Sequence, residues 1–60
     1  MLTQAELTDA RDTLSAAKAL IASVRSLLLS GGEVASARLL NDALGILSDE
    51  IAALDKALLP

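Results

Sequence analysis

Cysteine, histidine and all three aromatic residue types are absent from this chain of 60 residues. The absence of cysteine excludes disulfide bonds and thiolate metal ligands, and the absence of histidine excludes imidazole ligands and the most common general base. The chain also has no nucleophile accompanied by a base in the pattern that covalent catalysis requires. We therefore expect a protein that is not an enzyme and that binds no metal and no cofactor.

Small size adds a second restriction, because a short chain buries a small share of its surface when it folds. Small scaffolds compensate with disulfides, metal ions or oligomerisation, and in this composition oligomerisation is the one means that remains. We expect one domain over residues 1–60 that associates with further copies of itself.

Charge and hydropathy bear on the compartment. The net charge of −3 argues weakly against a general binder of nucleic acids or anionic membranes. Charged residues between Glu6 and Asp12 interrupt the N-terminal stretch, which therefore differs from a signal peptide. The longest uncharged run, Ser26 to Gly32, is much shorter than the roughly 20 residues needed to cross a bilayer. We expect a cytoplasmic protein without a membrane span.

Alanine and leucine dominate what is present, and hydrophobic residues make up 53% of the chain. Both residues are strong helix formers, and no stretch alternates as a strand would. Thr3 with Glu6 three residues later predicts a capping box, which begins a first helix of about residues 3–30. Apolar residues then recur at spacings of three and four, which is a heptad seam. The first seam consists of Leu7, Ala10, Leu14, Ala17, Ile21, Val24 and Leu28.

Gly31 and Gly32 predict a turn, because one glycine can take the left-handed conformation that ends a helix. A second helix of about residues 33–58 follows, with Glu33 in its first turn, where a negative charge is favourable. The second seam consists of Ala37, Leu40, Leu44, Leu47, Ile51, Leu54 and Leu58. Folding about the glycine pair brings every residue of one seam opposite a residue of the other. The fold class is therefore all-α, an antiparallel helical hairpin of coiled-coil type.

Two helices form a ribbon, so one side of each seam would still face water. Leu20, Leu27, Leu39 and Ile46 lie beside the seams and widen the apolar sector. We expect a homodimer, a four-helix bundle, because an exposed apolar patch usually marks an association surface. The predicted dimer interface consists of Leu14, Leu20, Ile21, Leu27, Leu39, Leu44, Ile46, Leu47 and Ile51. The alternative is that these leucines and isoleucines are scattered surface residues, which are common.

Three cations, Arg11, Lys18 and Arg25, are spaced by seven and form one row beside the first seam. In one interpretation the row faces the second helix of the same chain, where its members meet Asp55, Ser48 and Asn41 in that order. In the other interpretation the row faces its copy across the dimer axis and makes a phosphate-binding ridge. Which flank faces which neighbour depends on the handedness of the bundle, so both interpretations stay open.

The pattern resembles the Rop family of small plasmid-encoded RNA-binding regulators. The residues that carry the resemblance are the Thr3 start, the turn near residue 31, Glu33 after it and the two seams. The resemblance implies a hairpin that dimerises into an antiparallel four-helix bundle and binds paired RNA loops through helix 1. Lys18 and Arg25 would lie in the RNA-binding row, with Arg11 close by, and Leu14 would stand where the family carries an aromatic residue.

Two functional hypotheses follow. The first is a small homodimeric bundle that serves as a structural or protein-interaction module. The second is an RNA-binding regulator of Rop type that uses Arg11, Lys18 and Arg25. Gly45 lies inside the second helix, where it marks either a close approach by a partner helix or a tolerated defect.

Overall fold

A computed structural model describes residues 1–59 of the chain. Helix α1 spans Gln4–Ser30 and helix α2 spans Val34–Leu58, and the two pack against each other. No strand occurs among these residues. The hairpin measures 44 × 16 × 14 Å, so its length is nearly three times its width. The prediction of an all-helical hairpin is confirmed.

The start of α1 is a reciprocal pair of hydrogen bonds. The Thr3 hydroxyl oxygen accepts from the backbone N–H of Glu6 at 3.1 Å, and a Glu6 carboxylate oxygen accepts from the backbone N–H of Thr3 at 3.0 Å. Both bonds satisfy backbone donors that have no partner within the helix. The predicted capping box is therefore confirmed.

The turn is a Schellman motif built on the second glycine. Gly32 has φ of +80°, whereas Gly31 has φ of −86° and ends α1. The N–H of Glu33 donates to the carbonyl of Leu28 at 2.8 Å, and the N–H of Gly32 donates to the carbonyl of Leu29 at 3.1 Å. These are the two bonds by which a left-handed residue closes a helix. Gly32 is thus the residue at which the turn favours glycine.

Glu33 does not lie in the first turn of α2, and this detail of the prediction is wrong. Glu33 is the N-cap residue, and its side chain makes no capping hydrogen bond. Its backbone N–H already completes the Schellman motif of α1, so α2 begins one residue later, at Val34. The two helices therefore start differently, with a capping box at α1 and no side-chain cap at α2.

The packing between the helices is thin. Ala37 and Leu44 are the buried residues among positions 1–59, and both belong to the second seam. The other seam residues are half-buried, apart from Val24, which is 47% exposed. Two cylinders touch along a line, so each seam side chain is covered by its opposite neighbour and open on one side. The hairpin alone has almost no interior.

Candidate interaction surfaces

One long face of the hairpin is polar, and its side chains contact each other across the two helices. We call this the polar face; it carries Arg11, Lys18, Arg25, Asn41, Ser48 and Asp55. Arg11 donates to a carboxylate oxygen of Asp55 at 3.2 Å, and Arg25 donates to the amide oxygen of Asn41 at 2.8 Å. The cation row therefore faces α2 of its own chain at these two positions.

The middle position of the row differs from the outer two. Lys18 and Ser48 are both half-buried, yet within residues 1–59 no hydrogen bond joins them. Of the three pairings in the within-chain interpretation, the outer two are hydrogen-bonded and the central one is not.

Arg11 is held by two carboxylates. Besides Asp55, it donates from two guanidinium nitrogens to one oxygen of Asp12, the shorter bond being 3.0 Å. These hydrogen bonds, first to Asp12 and then to Asp55, raise the pKa of Arg11 above its already high ordinary value. A phosphate that approached Arg11 would compete with the negative charge of both carboxylates.

The polar face also contains an open recess next to the turn. It has a volume of about 290 Å³ and is lined by Arg25, Leu29, Val34, Ala37, Arg38 and Asn41. The Nε of Arg25 is buried there without a hydrogen-bond partner among residues 1–59. The sequence pattern did not predict this recess, since it depends on Val34 and Leu29, which lie outside both seams.

The opposite long face is apolar and has no neighbour in the hairpin. Leu20 and Leu27 are 69% and 73% exposed, and Leu39 and Ile46 are 71% and 65% exposed. Each of these residues precedes a seam residue by one position, whereas the polar-face residues follow a seam residue by four. They therefore project from the opposite flank. Together with Val24, which the sequence assigned to the seam, they form what we call the apolar face.

The remaining residues of the predicted dimer interface lie deeper. Leu14, Ile21, Leu47 and Ile51 are half-buried between α1 and α2, and Leu44 is buried. These five already contact the other helix of the same chain, so a second molecule would meet them as the floor of the apolar face. The exposed members of the predicted interface are the four flanking residues, Leu20, Leu27, Leu39 and Ile46.

A lipid surface is another possible cover for the apolar face. Helix α1 is long and apolar enough to cross a membrane, judged by length and composition alone, although core helices and signal sequences meet the same criterion. Lys18 and Arg25 lie in this helix, and each would cost about 2.5–3.5 kcal/mol at the centre of a bilayer. The expected absence of a membrane span therefore stays a prediction.

Among residues 1–59, no three side chains of the metal-binding types lie close enough together to hold an ion. Comparison of the chain with protein-family models, with curated protein sequences and with solved structures finds no match. Its surfaces are thus the basis for a functional conclusion.

Proposed function

We propose that this chain is a self-associating interaction module, in which two hairpins join their apolar faces to form a four-helix bundle. One observation carries the proposal. Ala37 and Leu44 are the buried residues among positions 1–59, while five large aliphatic side chains stand exposed on a single face. A second apolar face would give these side chains the cover that α1 and α2 do not provide.

The dimensions of the hairpin support this pairing. A face of 44 × 16 Å corresponds to about 700 Å² per molecule, or about 1,400 Å² when two faces meet. Stable protein interfaces bury about 1,200–2,000 Å² in total. The long flank that carries the apolar face therefore has the size that a specific dimer needs, and a second copy is a partner with the same chemistry.

The energetics point in the same direction. Full burial of a leucine side chain contributes about 1.5–3 kcal/mol, and the apolar face offers several such side chains. Folded domains as a whole are stable by about 5–15 kcal/mol. Pairing of two apolar faces thus contributes a term as large as the entire stability of a small domain. We expect folding and dimerisation to be coupled.

Sedimentation equilibrium combined with circular dichroism tests the proposal. We expect the mass of a dimer at micromolar concentration, and a helical signal that decreases on dilution as dimers dissociate. A folded monomer at micromolar concentration would overturn the proposal. Flotation with phosphatidylglycerol–phosphatidylcholine vesicles separates the lipid alternative, since a chain that is monomeric in buffer and floats with vesicles has its apolar face on lipid.

RNA binding through Arg11, Lys18 and Arg25 is a separate and weaker proposal. Its support is the placement of all three cations on one face, with Lys18 lacking the hydrogen bond to Ser48 that was expected. A gel-shift titration with paired RNA hairpins at low salt tests it. The double variant Lys18→Ala with Arg25→Ala should weaken binding, and Arg38→Ala, outside the row, should not. No shift with the unmodified chain would end this proposal.

A further inference from the structure

We infer that the two hairpins pair with their turns at the same end of the bundle, so that α1 of each molecule lies against α2 of the other. The inference rests on the proposed dimer and adds the orientation of its two members. Its basis is the position of the apolar face along the hairpin.

The five side chains of the apolar face lie in the half of the hairpin nearest the turn, and the exposed large apolar side chains at the other end, Met1, Leu2 and Leu59, lie outside α1 and α2. At about 1.5 Å per residue, Leu27 and Leu39 lie roughly 7–11 Å from the turn, and Ile46 lies roughly 22 Å from it. Toward the other end, the same flank carries Glu6, Thr13 and Glu50, all of them exposed. The face is therefore apolar at one end and polar at the other.

A dimer with both turns at the same end matches these halves. A two-fold axis parallel to the helices keeps every residue at its own height and places α1 opposite α2 of the second molecule. Val24 then lies at the height of the partner's Leu39, and Leu20 lies within one helical turn of the partner's Ile46. The polar halves also meet, with Thr13 at the height of the partner's Glu50.

A dimer with turns at opposite ends mismatches them. When such hairpins overlap over their whole length, α1 lies on α1 of the second molecule. Leu27 then meets the partner's Glu6, and Leu20 meets the partner's Thr13. The apolar side chains stay poorly covered, while a carboxylate is drawn toward an apolar surface without a cation, which is unfavourable.

Sliding the opposed hairpins until their apolar halves coincide removes this mismatch but shortens the overlap. The overlap then falls to about 28 Å of the 44 Å length, or about 900 Å² in total. This area is below the roughly 1,200 Å² at which specific interfaces begin. Of the two-fold arrangements, the one with both turns at one end covers the apolar side chains and also buries enough area for a specific interface.

Distance measurements between spin labels test the orientation, because the chain contains no cysteine and accepts a single labelled site. Glu33→Cys places a label at the turn, where the Glu33 side chain makes no capping bond, and Lys56→Cys places one near the other end. With turns at one end, both variants should show separations of about 20–25 Å, given helix spacings of about 10 Å. With turns at opposite ends, the Glu33 labels should be separated by about 40 Å in the fully overlapped dimer, and the Lys56 labels by more than about 40 Å in the shortened one.

A third label at Ala19 separates failure of the orientation from failure of the dimer. Ala19 lies near the middle of the hairpin, so its two labels come within about 30 Å in either fully overlapped dimer. A short Ala19 distance with a long Glu33 or Lys56 distance would overturn the orientation and leave the dimer intact. The absence of any distance between molecules at all three sites would overturn the proposed dimer itself.

Discussion

On the polar face of the hairpin, Arg11 and Arg25 donate hydrogen bonds to Asp55 and Asn41 of the other helix. On the apolar face, by contrast, the large side chains are exposed. Polar groups can be satisfied in pairs, because a hydrogen bond needs one donor and one acceptor. Apolar side chains must be surrounded, and the two helices bury only Ala37 and Leu44 among residues 1–59. A two-helix chain can therefore pair polar side chains within itself, as it does at Arg11 and Arg25, but needs a partner to cover its apolar face.

Substitutions by glutamine on the two faces should give the largest difference between them, and this difference is in the strength of association. Leu27→Gln with Ile46→Gln removes two apolar side chains per molecule and four per dimer. If each contributes about 1 kcal/mol through partial burial, the dimer loses about 4 kcal/mol, which corresponds to about a 1,000-fold weaker association. Sedimentation equilibrium measures the effect directly, and circular dichroism should show the accompanying loss of helix.

The matched variant on the polar face is Arg11→Gln with Arg25→Gln, which also replaces two side chains by glutamine. We expect it to associate within about tenfold of the unmodified chain, because its contacts lie inside one molecule. Equal weakening by both double variants would mean that the two faces do not differ in their need for a partner. In that case the polar face would also be part of an interface.

Within the polar face, the two arginines should differ in their effect on stability. Arg25 donates at 2.8 Å to Asn41, and we expect Arg25→Ala to lower the free energy of unfolding by about 1 kcal/mol. Arg11 lies at 3.2 Å from Asp55 in an ion pair that is open to solvent, where the contribution is about 0.2–1 kcal/mol. Urea unfolding at fixed protein concentration compares the two.

Added salt provides the control for this difference. We expect 0.5 M NaCl to reduce the small effect of Arg11→Ala, since exposed charges are screened, and to leave the effect of Arg25→Ala nearly unchanged. A larger loss from Arg11→Ala than from Arg25→Ala at low salt would contradict this order of the two arginines. The hydrogen bond to Asn41 would then contribute less than the exposed ion pair.

The sequence alone predicted the hairpin, because the seams and the glycine pair admit one simple solution. The Thr3–Glu6 capping box was also predictable, since it depends on a spacing within one turn. The contact of Arg11 with Asp55 followed from the register across the turn, but only as one of two interpretations. Local and periodic features can thus be predicted directly from the sequence.

Other features needed three-dimensional information. Gly31 and Gly32 are chemically identical, and only the backbone shows that Gly32 has the positive φ. Val24 belongs to the seam by its spacing, yet it is 47% exposed. The predicted position of Glu33 in the first turn of α2 was wrong, because Glu33 is the N-cap residue between the helices. Its backbone N–H closes α1, and α2 begins at Val34.

A substitution at Gly45 tests whether the dimer uses the apolar face alone. Nothing lies within 4 Å of the position that a Cβ would occupy there, and Gly45 is not on the apolar flank. We expect Gly45→Ala to raise the free energy of unfolding by about 1 kcal/mol and to leave the dimer intact. Thermal unfolding and sedimentation measure the two quantities.

Gly32→Ala is the matched control for this substitution. It adds the same methyl group, but at a backbone with φ of +80°, where we expect a loss of about 1 kcal/mol. If Gly45→Ala weakens association instead, a partner helix approaches the side of α2 that the hairpin leaves open. The comparison between the two faces would then have to include a third surface.

The smallest effect is expected at Glu6, on the polar end of the flank that carries the apolar face. Its bonds with Thr3 lower the pKa of the Glu6 carboxyl below its ordinary value of 4.5, first through the backbone N–H and then through the side chain. A group with a lowered folded pKa stabilises above its unfolded pKa, and the contribution is lost as the pH falls through the folded pKa. We expect the unmodified chain to lose more thermal stability than Glu6→Gln between about pH 5 and pH 3. Gln4→Ala leaves both bonds of the capping box in place and should follow the unmodified chain. Superimposable pH curves for Glu6→Gln and the unmodified chain would show that the charge of Glu6 is not what holds the start of α1.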